Sequence, residues 1–405
     1  MNSAVSPSPI APAAGTAPRH AVPLLAFTTP ECAVEIFRSW RDIAPEIWTS
    51  LFTRWCKDHR YHAITEDTLG DQFAHRYFVF KNTQTGSHAV QPFLIVHQDL
   101  AAGLPARFRS LLTALRRRWP GFLKLRMLMV GCAAGDGQLG SEEPWAVRAL
   151  HAALPIAAKR EKASVILLKD FPARYREALR YFTDHGYGRA PSMPGARMEI
   201  DFKNFDDFMQ NKLGKVFRKN LRRKFRSSAD HGTPTMEVVT DVTPIAAEIQ
   251  SLYAQTHGRS EFKFEELTAA YFSALGQRLP ERTRYFLWRV EGRLVAFALC
   301  LVAGDTIYDL NVGMDYSVAL DLHLYFLTFR DILNWAAENG LKHYVTGPLN
   351  YSPKLHLQLD LDPLDLYARH TVAIINPIFK LALKYLQPAR HDPHIRQFRN
   401  FRELY

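Results

Sequence analysis

Cysteine is scarce in this 405-residue chain: Cys32, Cys56, Cys132 and Cys300 lie far apart, and no two form a C-x-x-C pair. That spacing excludes a cysteine zinc site and a disulfide framework and fits a reducing compartment. Long apolar runs are missing as well. No stretch approaches the roughly 18–20 residues that cross a bilayer, so a soluble, cytoplasmic protein is expected. The 16 histidines show no metal-ligand spacing, and no metal site is expected. There is no G-x-S-x-G nucleophile elbow and no heptad run. The opening residues, rich in Pro, Ala and Ser, lack a basic n-region and an apolar h-region. They are read as a disordered leader over 1–24, not as a secretory signal.

What is present is enough apolar material for real cores, with 47% hydrophobic and 12% aromatic residues. Wholesale disorder is excluded, and the length suggests two to three domains. The formal charge of +11 is concentrated. Residues 203–226 hold nine Lys/Arg and two acids, and residues 371–405 hold six and two. These local surpluses, seven and four, account for the whole net charge, which points to a local partner bearing phosphates or carboxylates. In the first cluster Phe205, Met209, Leu213, Phe217, Leu221 and Phe225 recur every four residues, a helical stripe split at Gly214 with Asn204 as N-cap. Arg218, Arg222 and Arg223 on that frame make either a solvated face or a phosphate-binding helix.

The chain reads twice as an α/β alternation. In the first half a hairpin over 77–96, a basic amphipathic helix over 105–119 and a strand over 122–130 precede a glycine-rich loop. A helix over 144–162, a strand over 165–168, a helix over 172–184 and a strand over 197–202 follow. In the second half come a strand over 236–240, helices over 244–257 and 264–278, and a hairpin across Glu291-Gly292-Arg293. A strand over 306–312 and a long helix over 319–338 complete it, with short strands at 344–346 and 364–369. Both hairpins begin Arg-Tyr-Phe (Arg76 and Arg284), and the shared order of elements argues for duplication.

A meander, a helix, a strand, a helix and closing strands is the order of the GNAT acyltransferase fold. The tandem pair resembles the Fem-type peptidoglycan aminoacyltransferases and the FemAB-like, BioF2-like acetyltransferases. The residues carrying the resemblance are KVFRKNLRRKFR (215–226), YDLNVGMD (308–315), the helix ending ENG (338–340), GPLNYSPKLHLQLD (347–360) and the tail INPIFKLALKYL (375–386). Gln358 stands near a position where the family usually has Gly. The implied fold class is α/β, two tandem GNAT-like domains with mixed sheets flanked by helices. The expected domains are 25–202 and 203–386, followed by a basic tail over 387–405.

The resemblance also implies a chemistry. Splayed central strands hold a thioester oxygen on backbone N–H groups, an acid protonates the leaving thiolate, and a carboxylate or water chain takes the amine proton. On the strand over 306–312, alternation puts Asp309 and Asn311 on one face and Tyr308, Leu310 and Val312 on the other. Asp309, a carboxylate in an apolar strand, is either a general base or a hydrogen-bonded structural group. Asn311 carries the same two readings. Asn350, Tyr351 and Lys354 open the last helix, where the fold implies the cofactor's pantetheine and thiol. Lys354 aligns with a lysine implicated in stabilising charge at the transferred acyl group, and Tyr351 is the thiolate-acid candidate; both also have packing or solvent-facing readings.

In the first half Gly135-Asp136-Gly137-Gln138-Leu139-Gly140 spells G-x-G-x-x-G, but no ribose-binding acid follows on a second strand. Within a GNAT frame this loop sits where coenzyme A phosphates meet helix-start N–H groups, so Gly135 and Gly137 belong to either a phosphate cradle or a plain turn. The segment 371–386 could lie on an anionic membrane, although Asn376-Pro377 interrupts it and packing against the second domain is the favoured reading.

The expectation is an N-acyltransferase moving an acyl group from acyl-CoA to an amine of a cell-envelope or nucleotide-linked precursor, with helix 215–226 holding phosphates in an interdomain cleft. The alternatives are a Fem-like enzyme drawing on charged tRNA, and a non-catalytic binding module. The acyl chain, the acceptor and the oligomeric state are not legible in the sequence.

Overall fold

The computed structural model describes residues 22–53, 55–99, 116–118, 124–260, 263–385, 387–390 and 392–405. Nearly all of the expected leader, and the helix expected over 105–119 apart from 116–118, lie outside these. Fifteen strands are described: β1 (Leu25–Thr28), β2 (Cys32–Phe37), β3 (Ala74–Asn82), β4 (His88–Asp99), β5 (Lys124–Val130), β6 (Val165–Pro172), β7 (Gly188–Pro191), β8 (Gly195–Glu199), β9 (Thr235–Val239), β10 (Thr283–Val290), β11 (Arg293–Ala303), β12 (Thr306–Met314), β13 (His343–Thr346), β14 (Asp360–Asp362) and β15 (Leu364–His370).

They form two sheets, β1-β2-β3-β4-β5-β6-β15-β7 and β14-β8-β13-β12-β11-β10-β9. Leaving β1 aside, the order is the same in both. An antiparallel four-strand meander ends in a strand paired parallel with the next, β5 with β6 and β12 with β13. The helices Pro144–Arg160 and Leu324–Glu338 make the two crossovers, as parallel neighbours require. The mixed α/β architecture of two like units is therefore as expected.

The sixth strand of each sheet comes from the opposite half. β15 pairs antiparallel with β6, and β8 pairs antiparallel with β13. Sheet membership thus crosses residue 202 in both directions. The segment after β15 does not trail away: Ile395, Phe398 and Leu404 are buried around Tyr351 and Leu361. Asp365, fully buried on β15, is clamped by Arg176 (Nε to Oδ2, 2.6 Å) and Arg189 (Nε to Oδ1, 2.9 Å). The same guanidinium groups donate to the carbonyls of Glu403, Leu404 and Tyr405.

A third core joins the halves, with Tyr61, Phe73 and Met129 from the first packed among Leu252, Tyr271 and Phe297 from the second. Tyr61 and Tyr271 share a hydrogen bond at 2.7 Å. Tyr61 sits on a helix, His59–Leu69, capped by Asp58, that the sequence reading lacks. Its buried face includes His62 and Thr65, so the apolar period that would announce it is diluted. The tight β10–β11 turn is as expected, with Glu291 (φ +50°) and Gly292 (φ +80°) both left-handed. Helix Phe205–Lys212 is capped by Asn204, and Gly214 starts Lys215–Asp230.

Gly313 on β12 lets helix Ala246–Arg259 lie against the sheet. A Cβ there would come within 2.3 Å of the Phe297 ring and 2.7 Å of backbone atoms of Leu252 and Tyr253. Gly313→Ala is expected to cost about 1–3 kcal/mol as overpacking, measurable as a lowered urea midpoint at unchanged slope.

Candidate active site

β12 and β13 pair in parallel only from Thr306↔His343 to Asp309↔Thr346. Beyond that pair they part, because the register between β11 and β12 steps at the same level. Asn311 lies opposite Leu299 and Asp309 opposite Cys300, leaving Leu310 as the extra residue of a bulge. Directly opposed residues share a face, so Asp309 turns with Cys300 toward the core under helix Leu324–Glu338. Asn311 turns with Leu299 to the face of Tyr308 and Leu310. The alternation that would place Asp309 and Asn311 together is broken by the bulge.

The opening between the strands is a pocket of about 120 Å³. Asp309, Asn311, Tyr325, Tyr344, Asn350 and Lys354 are among its lining residues. Asp309 accepts from the Tyr344 hydroxyl at 2.7 Å and, more distantly, from the Cys300 thiol at 3.9 Å. Burial pushes its carboxyl up to about 6, against the pull of Tyr344 and of the Lys354 charge. Lys354 is 5% exposed, and its ammonium donates to Gly347 O at 2.5 Å. Burial pushes it down to about 8, opposed by Asp309. Two oppositely charged groups thus titrate on either side of neutrality in one pocket, the pattern of acid–base sites. The rim carries strain: Leu349 (φ +74°) and Asn350 (φ +51°) are consecutive left-handed non-glycine residues.

The other expected site residues lie apart. Tyr351 is buried and donates to Pro194 O at 2.7 Å, outside the pocket lining. Tyr308 faces the joint core, with burial raising its phenol. Arg218 donates to Gln210 O at 2.8 Å, while Arg222 and Arg223 are exposed. Arg222, Arg226 and Arg330 border a separate groove floored by Phe205, Met209 and Phe225. All its lining residues fall within 205–334, so it is a feature of the second half and not of a cleft between halves. Tyr325, Thr328 and Phe329 of helix Leu324–Glu338 line the pocket, while Arg330 and Asn334 line the groove.

In the first sheet the equivalent opening, past Val130↔Leu168, is filled by protein. Gly137 N donates to Asp170 O at 2.9 Å, and Gly140 N donates to Gln91 Oε1 at 2.9 Å. The Lys57 ammonium lies against Gly135, where a Cβ would come within 2.0 Å of it. Burial works against that ammonium, and the charge of Asp136 raises it on balance. The amides of Gly137 and Gly140 are therefore not free for a phosphate. At the start of helix Leu324–Glu338 two of the first three amides are engaged: Leu324 N donates to Ala319 O, and Phe326 N donates to His323 O.

Tyr344 and Cys300 carry no sign in the sequence of a place beside Asp309. Only the register of β11, β12 and β13 brings them to Asp309, and no local motif marks them.

Residues 215–353 match the family described as an acetyltransferase (GNAT) domain. That stretch is about a third of the chain. The matched domain is that of an acyltransferase, and the repeated strand order gives the chain two units of like fold. The matched stretch contains Asp309 and ends one residue before Lys354. Among solved structures it is similar to FemX, at 13% identity, covering 81% of this chain and 94% of that one with a TM-score of 0.49. It is also similar to L-PGS from Bacillus licheniformis, at 15% identity over 81% and 95% with a TM-score of 0.47. A tandem GNAT protein from the clavulanic acid biosynthesis pathway shares 10% identity over 78% and 88%, with a TM-score of 0.43. No curated protein matches the chain significantly. Among the described residues no group of His, Cys, Asp and Glu could hold a metal ion, and no helix is long and apolar enough to cross a membrane.

Proposed function

We propose that this acyltransferase moves an acyl group from acyl-CoA to the amine of a cell-envelope or nucleotide-linked precursor in the cytoplasm, with the chemistry in the β12–β13 opening. The observation that carries the reading is the buried Asp309–Lys354 pair in one pocket, with a base near pH 6 and an ammonium near pH 8. In this reading the acceptor nitrogen attacks the thioester carbonyl and gives its proton to Asp309. The Lys354 ammonium stabilises the oxyanion. As the C–S bond breaks, the same ammonium protonates the thiolate, and the two side chains restore their protons through solvent. Tyr351, held on Pro194 O, is left out of that step. The Tyr344 hydroxyl orients the Asp309 carboxylate, and the groove of Arg222, Arg226 and Arg330 supplies guanidinium groups for a phosphate-bearing substrate.

A pH profile of kcat/KM tests the pair. Rate is expected to rise as Asp309 ionises near pH 6 and to fall as Lys354 loses its proton near pH 8, as apparent values of the coupled pair. A flat profile over that range would refute both roles.

A second reading, transfer from an aminoacyl-tRNA, is favoured by the engaged amides at Leu324 and by the exposed Arg222, Arg223 and Arg226. Thermal shift with acetyl-CoA, longer acyl-CoAs, UDP-linked precursors and tRNA separates the two. A ligand at 100 times its Kd stabilises by about 2.7 kcal/mol. A midpoint raised by CoA thioesters supports the first reading, and one raised by tRNA alone supports the second. Binding without turnover of any donor would make the protein a binding module.

A further inference from the structure

We propose that the helix Asn376–Tyr385 seats the protein on an anionic phospholipid surface. The helix follows β15 and lies along the end of the first sheet. Gly188 on β7 accommodates it: a Cβ there would meet Lys380 Cγ at 3.2 Å and Leu383 Cδ2 at 3.3 Å. Asn376 fixes its start, accepting from His370 N and donating to Gly186 O. The segment therefore does pack, but against the first sheet, not the second domain, and only along one side. None of its residues is buried.

The outward side is apolar. Ile374 is 84% exposed, Ile378 71%, Leu381 56% and Tyr385 62%. Ile378, Leu381 and Tyr385 follow one another at three and four residues along the helix, so at 100° per residue they form a single stripe, and Ile374 is exposed in the turn before it. Val372 is exposed beside it. Isolated exposed apolar residues are ordinary, but a contiguous stripe marks an interaction surface. The charge around it selects the partner. From Leu366 to His391 the sequence holds four Lys/Arg and no Asp or Glu, and Lys384 and Arg390 are exposed. An apolar stripe on a segment whose only charged residues are Lys and Arg fits the boundary between acyl chains and anionic headgroups. A second copy of the same face would set these cations against each other.

The test is sedimentation of the full-length protein with phosphatidylcholine vesicles, with and without phosphatidylglycerol, alongside its solution mass and thermal midpoint. The wild type is expected to bind vesicles containing phosphatidylglycerol, weakly to bind phosphatidylcholine alone, and to be released by salt. Ile378→Asp with Leu381→Asp is expected to weaken binding about tenfold or more at an unchanged midpoint. Lys384→Glu, which leaves the stripe intact, is expected to weaken binding to the anionic vesicles alone. Three results would overturn the proposal. One is no binding of the wild type to anionic vesicles. Another is a wild-type dimer that the double variant converts to a monomer. The third is a large fall in midpoint for the double variant, which would mean that the stripe is covered by the protein's own chain.

Discussion

Asp309→Asn is expected to lower kcat about 10²- to 10⁴-fold, the loss that follows removal of a positioned general base, while leaving the fold intact. The stability half of that expectation follows from the direction of the shift. The Asp309 carboxyl titrates near 6 in the fold against 3.8 for an ordinary carboxyl. The folded state therefore prefers the protonated form, and its contribution to stability is full below pH 3.8 and lost as pH rises through 6. At pH 7 the ionised group is carried at a cost, so a neutral isostere at that pH does not weaken the fold through its own ionisation. The Tyr344 hydroxyl keeps an acceptor in the amide oxygen. Steady-state kinetics with thermal unfolding at pH 7 reads both halves. Turnover within about tenfold of wild type, with a much lower midpoint, would make Asp309 a structural carboxylate and not a base. Lys354→Met makes the reciprocal check: it removes the basic limb of the pH profile, and it leaves the Asp309 carboxylate without its countercharge.

Asp365→Ala is expected to destabilise the protein by about 3–5 kcal/mol, the range for removing one partner from a buried ion pair. The carboxylate has no exposed surface and neutralises two guanidinium groups, Arg176 and Arg189. Those groups also bond main-chain oxygens of Glu403, Leu404 and Tyr405. The variant strips the countercharge from the strand that the second half lends to the first sheet, so the loss should appear as one cooperative drop in urea midpoint. Asp365→Asn keeps hydrogen-bond acceptance and is expected to lose less. A change below about 1 kcal/mol would show that the arginines find other partners.

The α/β alternation, the two like halves and the meander–crossover order were legible in the sequence because each rests on local rules. Alternating apolar residues make strands, Glu291-Gly292 makes a tight hairpin, and Asn204 and Gly214 punctuate helices. Asp309 could be picked out for a similar reason, since a carboxylate in an apolar strand is conspicuous in its own neighbourhood, whereas Lys354 was reached through the family resemblance. Helix His59–Leu69 was not visible, since its buried side contains His62 and Thr65, whose burial is granted by packing partners far away in the chain.

What only the tertiary structure decided is register and exchange. One extra residue at Leu310 sends Asp309 and Asn311 to opposite faces, and side-chain alternation cannot show a bulge whose cause lies in the partner strand. The same step opens β12 from β13 and delivers Tyr344 and Cys300 to Asp309. The trading of β8 and β15 between halves is equally silent in the sequence, since an antiparallel strand satisfies its backbone hydrogen bonds in either sheet. The clamp on buried Asp365 now ties the lent β15 in place. Pattern by itself determined that two like α/β units would form, and the GNAT identity came through the family resemblance. Which half keeps an open pocket was settled in space, by Lys57 and the Gly131–Gly140 loop filling the first opening while a bulge holds the second apart.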